Sequence, residues 1–441
     1  MGTVFDEFTD VAKTLTASGT GVNAAAQHEK PATAVAEEVR AFYERLPYPP
    51  PLQSLDEHRA LYSVPERRRA MFHRIWPSER PDGHQEILIA GCGTSQAARY
   101  ALREPGARVT AIDISETSLR HTRELQQKYA LENLELHQLP LESVQQLGRC
   151  FDLIVCTGVL HHLPDPDCGL RALRAVLTPK GAMHLMVYAS YGRAGIYMLQ
   201  EYCRMLRIGT AAADVRALGA LLEVLPRNHP IAEVLGRADF KQPEAIADAL
   251  LHPRDRAYTV PELYAWLERC GLCFGRWVEQ APYLPQCGAL ANTGHGERLN
   301  ALPPPAQHAA AELFRGTMTQ HRVIAYRSDC SSGADAIHFS GERWRDYVPI
   351  RLPWALCIRE RVPAGSVAVL LNPAHQHRDL VLPINAAQDR LLGQIDGQRR
   401  LGDIVAAFGS SEGARSALAF FQQLWWYDQI VFDASGAVAV E

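Results

Sequence analysis

Nowhere in the chain is there an apolar run long enough to span a bilayer. The longest, ILIAGC and SVAVLL, have the length of buried strands, so no helical membrane anchor and no membrane partner is expected. Surplus positive charge is missing as well. Lys and Arg number 45 against 49 Asp and Glu, a formal charge of -4, which leaves no broad surface for tracking phosphates and argues against a nucleic-acid partner. The ten cysteines show no even-spaced framework, as expected of reduced thiols in a cytoplasmic protein. Cys270 and Cys273 form one CxxC with no second pair nearby to complete a zinc set. Their context, LERCGLCFGRW, reads as a helix ended by Gly271 and followed by a strand, so no metal is expected. The N-terminus carries Asp6, Glu7 and Asp10 where an export signal would be basic and apolar.

What is present is ordinary globular material: 47% apolar and 21% charged residues over 441 positions, enough for two or three domains. Residues 1–35 include TASGTGVNAAAQHEKPATA, too poor in apolar groups to bury itself, and read as a tail. A short amphipathic helix from Ala36 to Leu46 runs into PYPPP, an extended turn, and is placed as a lid. Residues 86–188 alternate apolar runs with helical patterns, the mark of βαβ units around a parallel sheet. Strands are expected at 86–90, 107–112, 134–139, 151–156 and 182–188, with two more at 272–278 and 322–327. Ser115 is the expected N-cap of the helix that follows the second strand. A helix-rich insertion at about 195–257 interrupts the sheet before Thr259 and Glu262 open another helix as a capping box. Ser331 to Gly333 mark a linker, which divides the chain into 36–330 and a smaller α+β unit at 331–441.

The chemistry concentrates in AGCGTSQ at Ala90 to Gln96, a glycine turn between a buried strand and a helix start. Gly91 and Gly93 fit positions where a Cβ would keep a ligand from the backbone. The dinucleotide fingerprint wants a third glycine where this chain has Gln96, which disfavours a nicotinamide oxidoreductase. Twenty residues after Gly93, Asp113 ends the next strand, where a carboxylate can accept hydrogen bonds from both hydroxyls of a ribose. It would otherwise be a helix-capping aspartate.

Taken in order, AGCGTS, AIDIS, FDLIVCTGVLHHL and LRAVLTPKG resemble the class I S-adenosylmethionine-dependent methyltransferases, strongly over about residues 40–190 and loosely to about 327. The resemblance implies a doubly wound, Rossmann-like α/β fold with a seven-stranded sheet, and S-adenosyl-L-methionine as cofactor. It places Gly91 and Gly93 against the methionine and ribose, Asp113 at the ribose, Leu141 and Glu142 beside the adenine, and Thr157, Gly158 and His161 at the mouth, with Cys92, Ser95, Gln96 and Ile114 also counted among the cofactor contacts. Two departures stand out. The acidic residue often found two positions before the first glycine is Ile89, and the third glycine of the turn is Ser95.

Methyl transfer from a sulfonium is an in-line displacement, so alignment in a closed site supplies most of the acceleration and a base is optional. His161, His162 and Tyr188 are the catalytic candidates, since an imidazole can take a proton from an oxygen or nitrogen nucleophile. Tyr43 and Tyr48 on the lid, Tyr191 and Arg193 after the fifth strand, and Tyr258 in the HPRDRAY segment are the candidate acceptor contacts. The acceptor is a small metabolite or a peptide or protein side chain. A non-catalytic cofactor-binding protein is the competing reading, with Ile89 and Ser95 as its signs.

The C-terminal unit, with LLGQIDGQRRLGDIVAAFG and ARSALAFFQQLWWYDQIVFD, resembles winged-helix peptide-binding domains and the regulatory domains of some methyltransferases. Its last helix has no basic residue after Arg415, so DNA reading is excluded, and its apolar face would suit docking or a homodimer. Leu391, Ile395, Ile404 and Phe408 are its expected core, Trp425 to Tyr427 its expected contact with the catalytic domain, and an accessible edge strand its expected peptide site.

Overall fold

The structure is a computed structural model and describes residues 32–81, 83–236, 242–330, 337–408 and 410–437. Most of the proposed tail, and the linker at Ser331 to Gly333, lie outside the described residues.

Parallel pairing joins β1 (Glu86–Ala90) to β2 (Arg108–Asp113) and β4 (Phe151–Thr157), β2 to β3 (Leu134–Gln138), and β4 to β5 (Leu177–Ala189). Ile87, Leu88, Ile89 and Ala90 are wholly buried, as required of a central strand with helices on both faces. The sheet is completed by β6 (Ala257–Tyr258), β7 (Leu272–Trp277) and β8 (Gln320–Arg327). β8 runs antiparallel between β5 and β7, giving the order β3-β2-β1-β4-β5-β8-β7. The expected count of seven is corrected to eight, because the two-residue β6 also pairs with the end of β5. β5 is longer than expected. Thr178, Pro179, Lys180 and Gly181 look like a turn in sequence, yet Phe151 pairs with Leu177 ahead of them across a register shift.

The switch in strand order at β1 and β4 opens a crevice at their carboxyl ends, where open α/β sheets bind ligands. Two helical pieces roof it. The helix Ala32–Arg45 lies on the helix Glu116–Tyr129, while Phe42 packs with Val215 and Ala247 of the insertion. The insertion's helices Ala194–Met205, Ala212–Glu223 and Pro243–Leu251 share a core of Ile196, Leu199, Leu218, Ile246 and Leu250. Residues 237–241 of it are outside the described residues.

Beyond the sheet, β9 (Val348–Arg351) pairs with β13 (Ile430–Asp433), and β10 (Leu356–Ile358), β11 (Ala368–Leu371) and β12 (Val381–Ile384) form an antiparallel sheet. Leu391 and Ile404 are buried in this unit, with Ile395 and Phe408 packed against its core. Its core continues into Ala281 and Cys287 of the larger unit, and Gln280 donates to the Trp425 carbonyl while Gly288 N–H donates to the Tyr427 hydroxyl. Among the described residues β10 has no strand on its outer side, and Leu356 and Ile358 are exposed. No helix among the described residues is long and apolar enough to cross a membrane.

Candidate active site

A cleft of about 1010 Å³ lies over the carboxyl ends of β1, β2, β4 and β5, under the helix Ala32–Arg45. Its floor begins with the glycine turn. Gly91 and Gly93 both sit at positive φ, +71° and +56°, in the left-handed region that suits glycine. A Cβ on Gly91 would strike Val159 at 2.3 Å, and one on Gly93 would press on the Tyr48 carbonyl and Pro49 at 3.3 Å. Gly91 N–H and Cys92 N–H both donate to the Ile112 carbonyl, so the turn is locked to β2. Asp113 locks it further: one carboxylate oxygen accepts from Gly93 N–H at 2.8 Å and the other from Ser115 N–H at 2.9 Å. Each oxygen keeps a second lone pair for the cleft. Burial pushes the Asp113 carboxyl up, against the pull of the backbone N–H groups of Ser115, Gly93 and Ile114. Capping of the following helix falls to Ser115, whose hydroxyl accepts from Ser118 N–H.

Cys92, Ser95, Gln96, Ile114, Leu141, Glu142, Thr157 and Gly158 line the same cleft. Gln96 donates to the Thr157 hydroxyl at 2.8 Å and bridges the helix start to the end of β4. Ile89 is fully buried between its neighbours Ala111 and Val155, so the position often held by an acid is core here. The structure thus brings together all eleven residues expected at the cofactor.

The lid is pinned by a contact the sequence did not disclose. Glu44 accepts from the backbone N–H groups of Glu116 and Thr117 at 2.8 and 3.2 Å and from the Thr117 hydroxyl at 2.6 Å, so it occupies the helix N-terminus beside Asp113. Desolvation pushes this carboxyl up, but the Thr117 hydroxyl and the two N–H groups outweigh it and hold the Glu44 carboxyl below its ordinary value. Glu44→Ala is expected to loosen the lid by about 1 kcal/mol, the usual worth of a lost cap, and to weaken cofactor binding by up to about fivefold. With the folded value depressed, the pinning is complete above the ordinary carboxylate range and is lost as pH falls through the folded value. Calorimetric titration at neutral pH and at successively lower pH should show the two chains converging only once pH has fallen below the ordinary carboxylate range.

The acceptor half of the cleft is built around Asp248, which sequence reading passed over as part of an amphipathic pattern. The signal was there: AIADALL puts one acid among apolar residues, and Asp248 is 4% exposed. It accepts from the Tyr43 hydroxyl at 3.0 Å and the Tyr188 hydroxyl at 3.3 Å. Burial pushes the Asp248 carboxyl up and likewise both phenols. The Arg193 guanidinium lies 3.5 Å from the Tyr188 ring centre and pairs with buried Asp255 at 2.5 Å.

His162 lines the cleft and donates through Nδ1 to the Arg254 carbonyl at 2.7 Å, leaving Nε2 as an acceptor. His161 does not reach the cleft. Its ring packs 3.9 Å from that of Tyr188 and is wholly buried, and burial pushes it well below the ordinary histidine value. Tyr48 and Arg193 line the cleft as expected, while two other expected contacts do not. Tyr258 is stacked on Trp266 in the core because β6 pairs with β5, and Tyr191 is exposed on a turn. Of the CxxC, Cys270 ends a helix and Cys273 sits in β7, as the sequence predicts, and burial raises both thiols.

Residues 88–183 match a family described as a methyltransferase domain. The ubiquinone biosynthesis O-methyltransferase of Albidiferax ferrireducens is 31% identical over 182 residues, 37% of this chain and 68% of that protein. The chain belongs to the S-adenosylmethionine-dependent methyltransferases. This methyltransferase is also 36% identical over 312 residues to the uncharacterized protein syc1184_c of Synechococcus sp., covering 67% of the chain and 72% of the relative. In fold it is similar to PKMT2 from Rickettsia typhi, with a TM-score of 0.60 at 15% identity over 88% of this chain and 77% of that one. The methyltransferase's glycine turn, Asp113 and the roomy cleft fit the cofactor: the turn presents backbone rather than side chain, and the carboxylate retains acceptor capacity.

Proposed function

We propose that the protein methylates an oxygen or nitrogen atom of a small metabolite held between Tyr43, Tyr188, His162 and Arg193. The observation that carries this reading is the cover over the acceptor side of the cleft. The helix Ala32–Arg45, tied down by Glu44, and the insertion lie over the sheet's carboxyl edge, leaving a partly open cleft whose acceptor side is lined by Tyr43, Tyr48 and Tyr188. When bound, S-adenosylmethionine supplies an electrophilic methyl carbon on a sulfonium.

Everything else falls to the chain's own groups. Asp113, Gly91, Gly93, Leu141, Glu142, Thr157 and Gln96 hold the cofactor, with Cys92, Ser95, Ile114 and Gly158 closing around it. Tyr43, Tyr48 and Tyr188 orient the acceptor and exclude water, which sharpens the alignment on which a displacement depends. His162 Nε2 takes the acceptor's proton, because Nδ1 is committed to the Arg254 carbonyl. His161 acts at one remove, fixing the Tyr188 ring. The C-terminal unit, read as winged-helix-like from its helices Ala386–Leu392, Leu401–Ala406 and Ser411–Trp426, is an accessory buttress whose Gln376 reaches the cleft rim.

The exposed edge of β10 favours the alternative, a peptide acceptor delivered by strand addition. Methyl-labelled cofactor incubated with the enzyme and cell extract, then separated into small-molecule and macromolecular pools, tests the choice. Label in the small-molecule pool is expected, and at least tenfold less with Asp113→Ala at sub-saturating cofactor, because that variant forfeits charge-assisted bonds of about 1.5 to 3 kcal/mol each. Label confined to protein would select the peptide reading. No label beside intact S-adenosylhomocysteine binding would leave a cofactor-binding protein without catalysis.

A further inference from the structure

Three buried side chains at the back of the cleft bring metal-ligating atoms close to one another. His162 follows β4, on the turn Leu160–His162. Asp248 and His252 lie four residues apart along and just beyond the helix Pro243–Leu251, hence on one helical face. One ligand atom from each, two imidazole nitrogens and a carboxylate oxygen, lies within 4.8 Å of the other two. The residues are only 4%, 4% and 8% exposed.

Hydrogen bonding leaves one nitrogen of each ring available to a ligand. Nε2 of His162 and Nε2 of His252 are buried and bonded to nothing among the described residues. A carbonyl can only accept, so the bond from His162 Nδ1 to the Arg254 carbonyl fixes the tautomer and leaves the lone pair on Nε2. His252 Nδ1 meets the same carbonyl at 2.5 Å and also the Arg254 N–H at 3.1 Å, so whatever occupies its Nε2 selects the tautomer. One backbone carbonyl therefore orients both rings, whose centroids are 3.8 Å apart. A second ring nitrogen bonded to a carbonyl is the usual support for a metal-bound histidine.

Charge points the same way. Among the described residues Asp248 has no Lys or Arg ion-pair partner. Its bonds come from two neutral phenols, and nearby Arg193 is taken by Asp255. A buried carboxylate without a cation is costly unless it is protonated or a cation is bound.

We propose that His162, Asp248 and His252 bind one divalent transition-metal ion, zinc by the character of the donors, with at least one coordination position open to the cleft that His162 and Asp248 line. Two imidazoles and a carboxylate are a ligand set of catalytic zinc. Ligands on a zinc ion stand about 3.3 to 3.5 Å apart, from metal distances of about 2.0 to 2.2 Å, so at most a small inward shift of the three groups completes the site. With the ion bound, His162 Nε2 is a ligand and no longer the base, and an acceptor oxygen at the open position would be acidified by the ion itself beside the methyl group. That consequence, unlike the site, rests on the methyltransferase reading.

The test uses the full chain, stripped with a chelator and titrated with Co2+ as a visible probe and Zn2+ as competitor. The expected result is one Co2+ per chain, with bands of nitrogen and oxygen ligation, no thiolate charge-transfer band, and displacement by Zn2+. His252→Gln should bind Co2+ at least about 100-fold more weakly, beyond the 10- to 100-fold cost of losing a supporting residue. Calorimetry with S-adenosylhomocysteine checks that this variant is folded; should it not fold, the isosteric Asp248→Asn is read in the same way. No ion on the wild-type chain, wild-type affinity in the variants, or thiolate bands that assign the ion to cysteines would each overturn the site. S-adenosylhomocysteine binding without metal uptake sinks the metal site alone, and metal uptake without it sinks the cofactor reading alone.

Discussion

Gly93→Val is expected to abolish S-adenosylmethionine binding, lowering affinity by more than about 100-fold, or about 2.7 kcal/mol, while the chain stays folded. Two effects add. At φ +56° a β-branched residue carries roughly 1 to 2 kcal/mol of backbone strain, so the turn shifts from the geometry in which Gly93 N–H reaches Asp113. The new side chain also has no room. Its Cβ already stands 3.3 Å from Pro49 and the Tyr48 carbonyl, and its methyl groups would push the lid away or enter the cofactor cleft. The turn lies at the edge of the β1 core, not within it, so the fold tolerates the strain. Calorimetry with S-adenosylhomocysteine and far-ultraviolet circular dichroism provide the two readouts. A folded variant with wild-type affinity would show that the turn does not face the ligand.

The same turn shows why part of this protein was legible in sequence. A buried strand, glycines at fixed offsets and an acid ending the next strand are local patterns, and each reports a backbone geometry that the sheet then places at one edge. Ile87 to Ala90 and Asp113 therefore stand where periodicity puts them. On the acceptor side Tyr43, Tyr48, His162, Tyr188 and Arg193 were named from sequence and line the cleft, but Asp248 and His252, and the way the set converges, were not legible, for a physical reason. Tyr43, His162, Asp248 and His252 come from the lid, the β4 turn and the insertion, and tertiary packing alone brings them together. Tyr258 and Tyr191 misled in the opposite way: each lies close in sequence to a strand end at the cleft, but one faces the core and the other solvent. The extra strand β6 was missed because two residues carry no periodicity.

Asp428→Ala is expected to destabilise the whole chain by about 3 to 5 kcal/mol, the usual cost of breaking a buried charge pair from one side. The carboxylate has no solvent exposure and works as a rivet between the two units. One oxygen accepts from Gln280 N–H at 2.8 Å, Ala281 N–H at 3.0 Å and His375 Nε2 at 3.0 Å, and the other lies 3.6 Å from the Arg276 guanidinium. Alanine would leave two backbone donors unsatisfied and Arg276 buried beside β8 without its counter-charge, and it is disfavoured at φ +50°. Asp428→Asn separates these contributions. Asparagine tolerates the left-handed backbone and can still accept from one N–H, so it should recover part of the loss, and the remainder measures the charge. Denaturant unfolding of the three chains gives the stabilities, and cofactor titration of the folded fraction should return one affinity for all of them. The same contacts bear on the removal of residues 331–441, which the sequence alone predicts to lower solubility while preserving cofactor binding. The cut would strip Arg276, Arg315 and the Ala281 to Cys287 segment of their partners, so the remaining domain should lose stability as well as solubility. A truncated chain as stable as the intact one, or an Asp428→Ala chain within 1 kcal/mol of wild type, about the worth of one ordinary hydrogen bond, would show that the two units fold independently and that their shared core adds nothing.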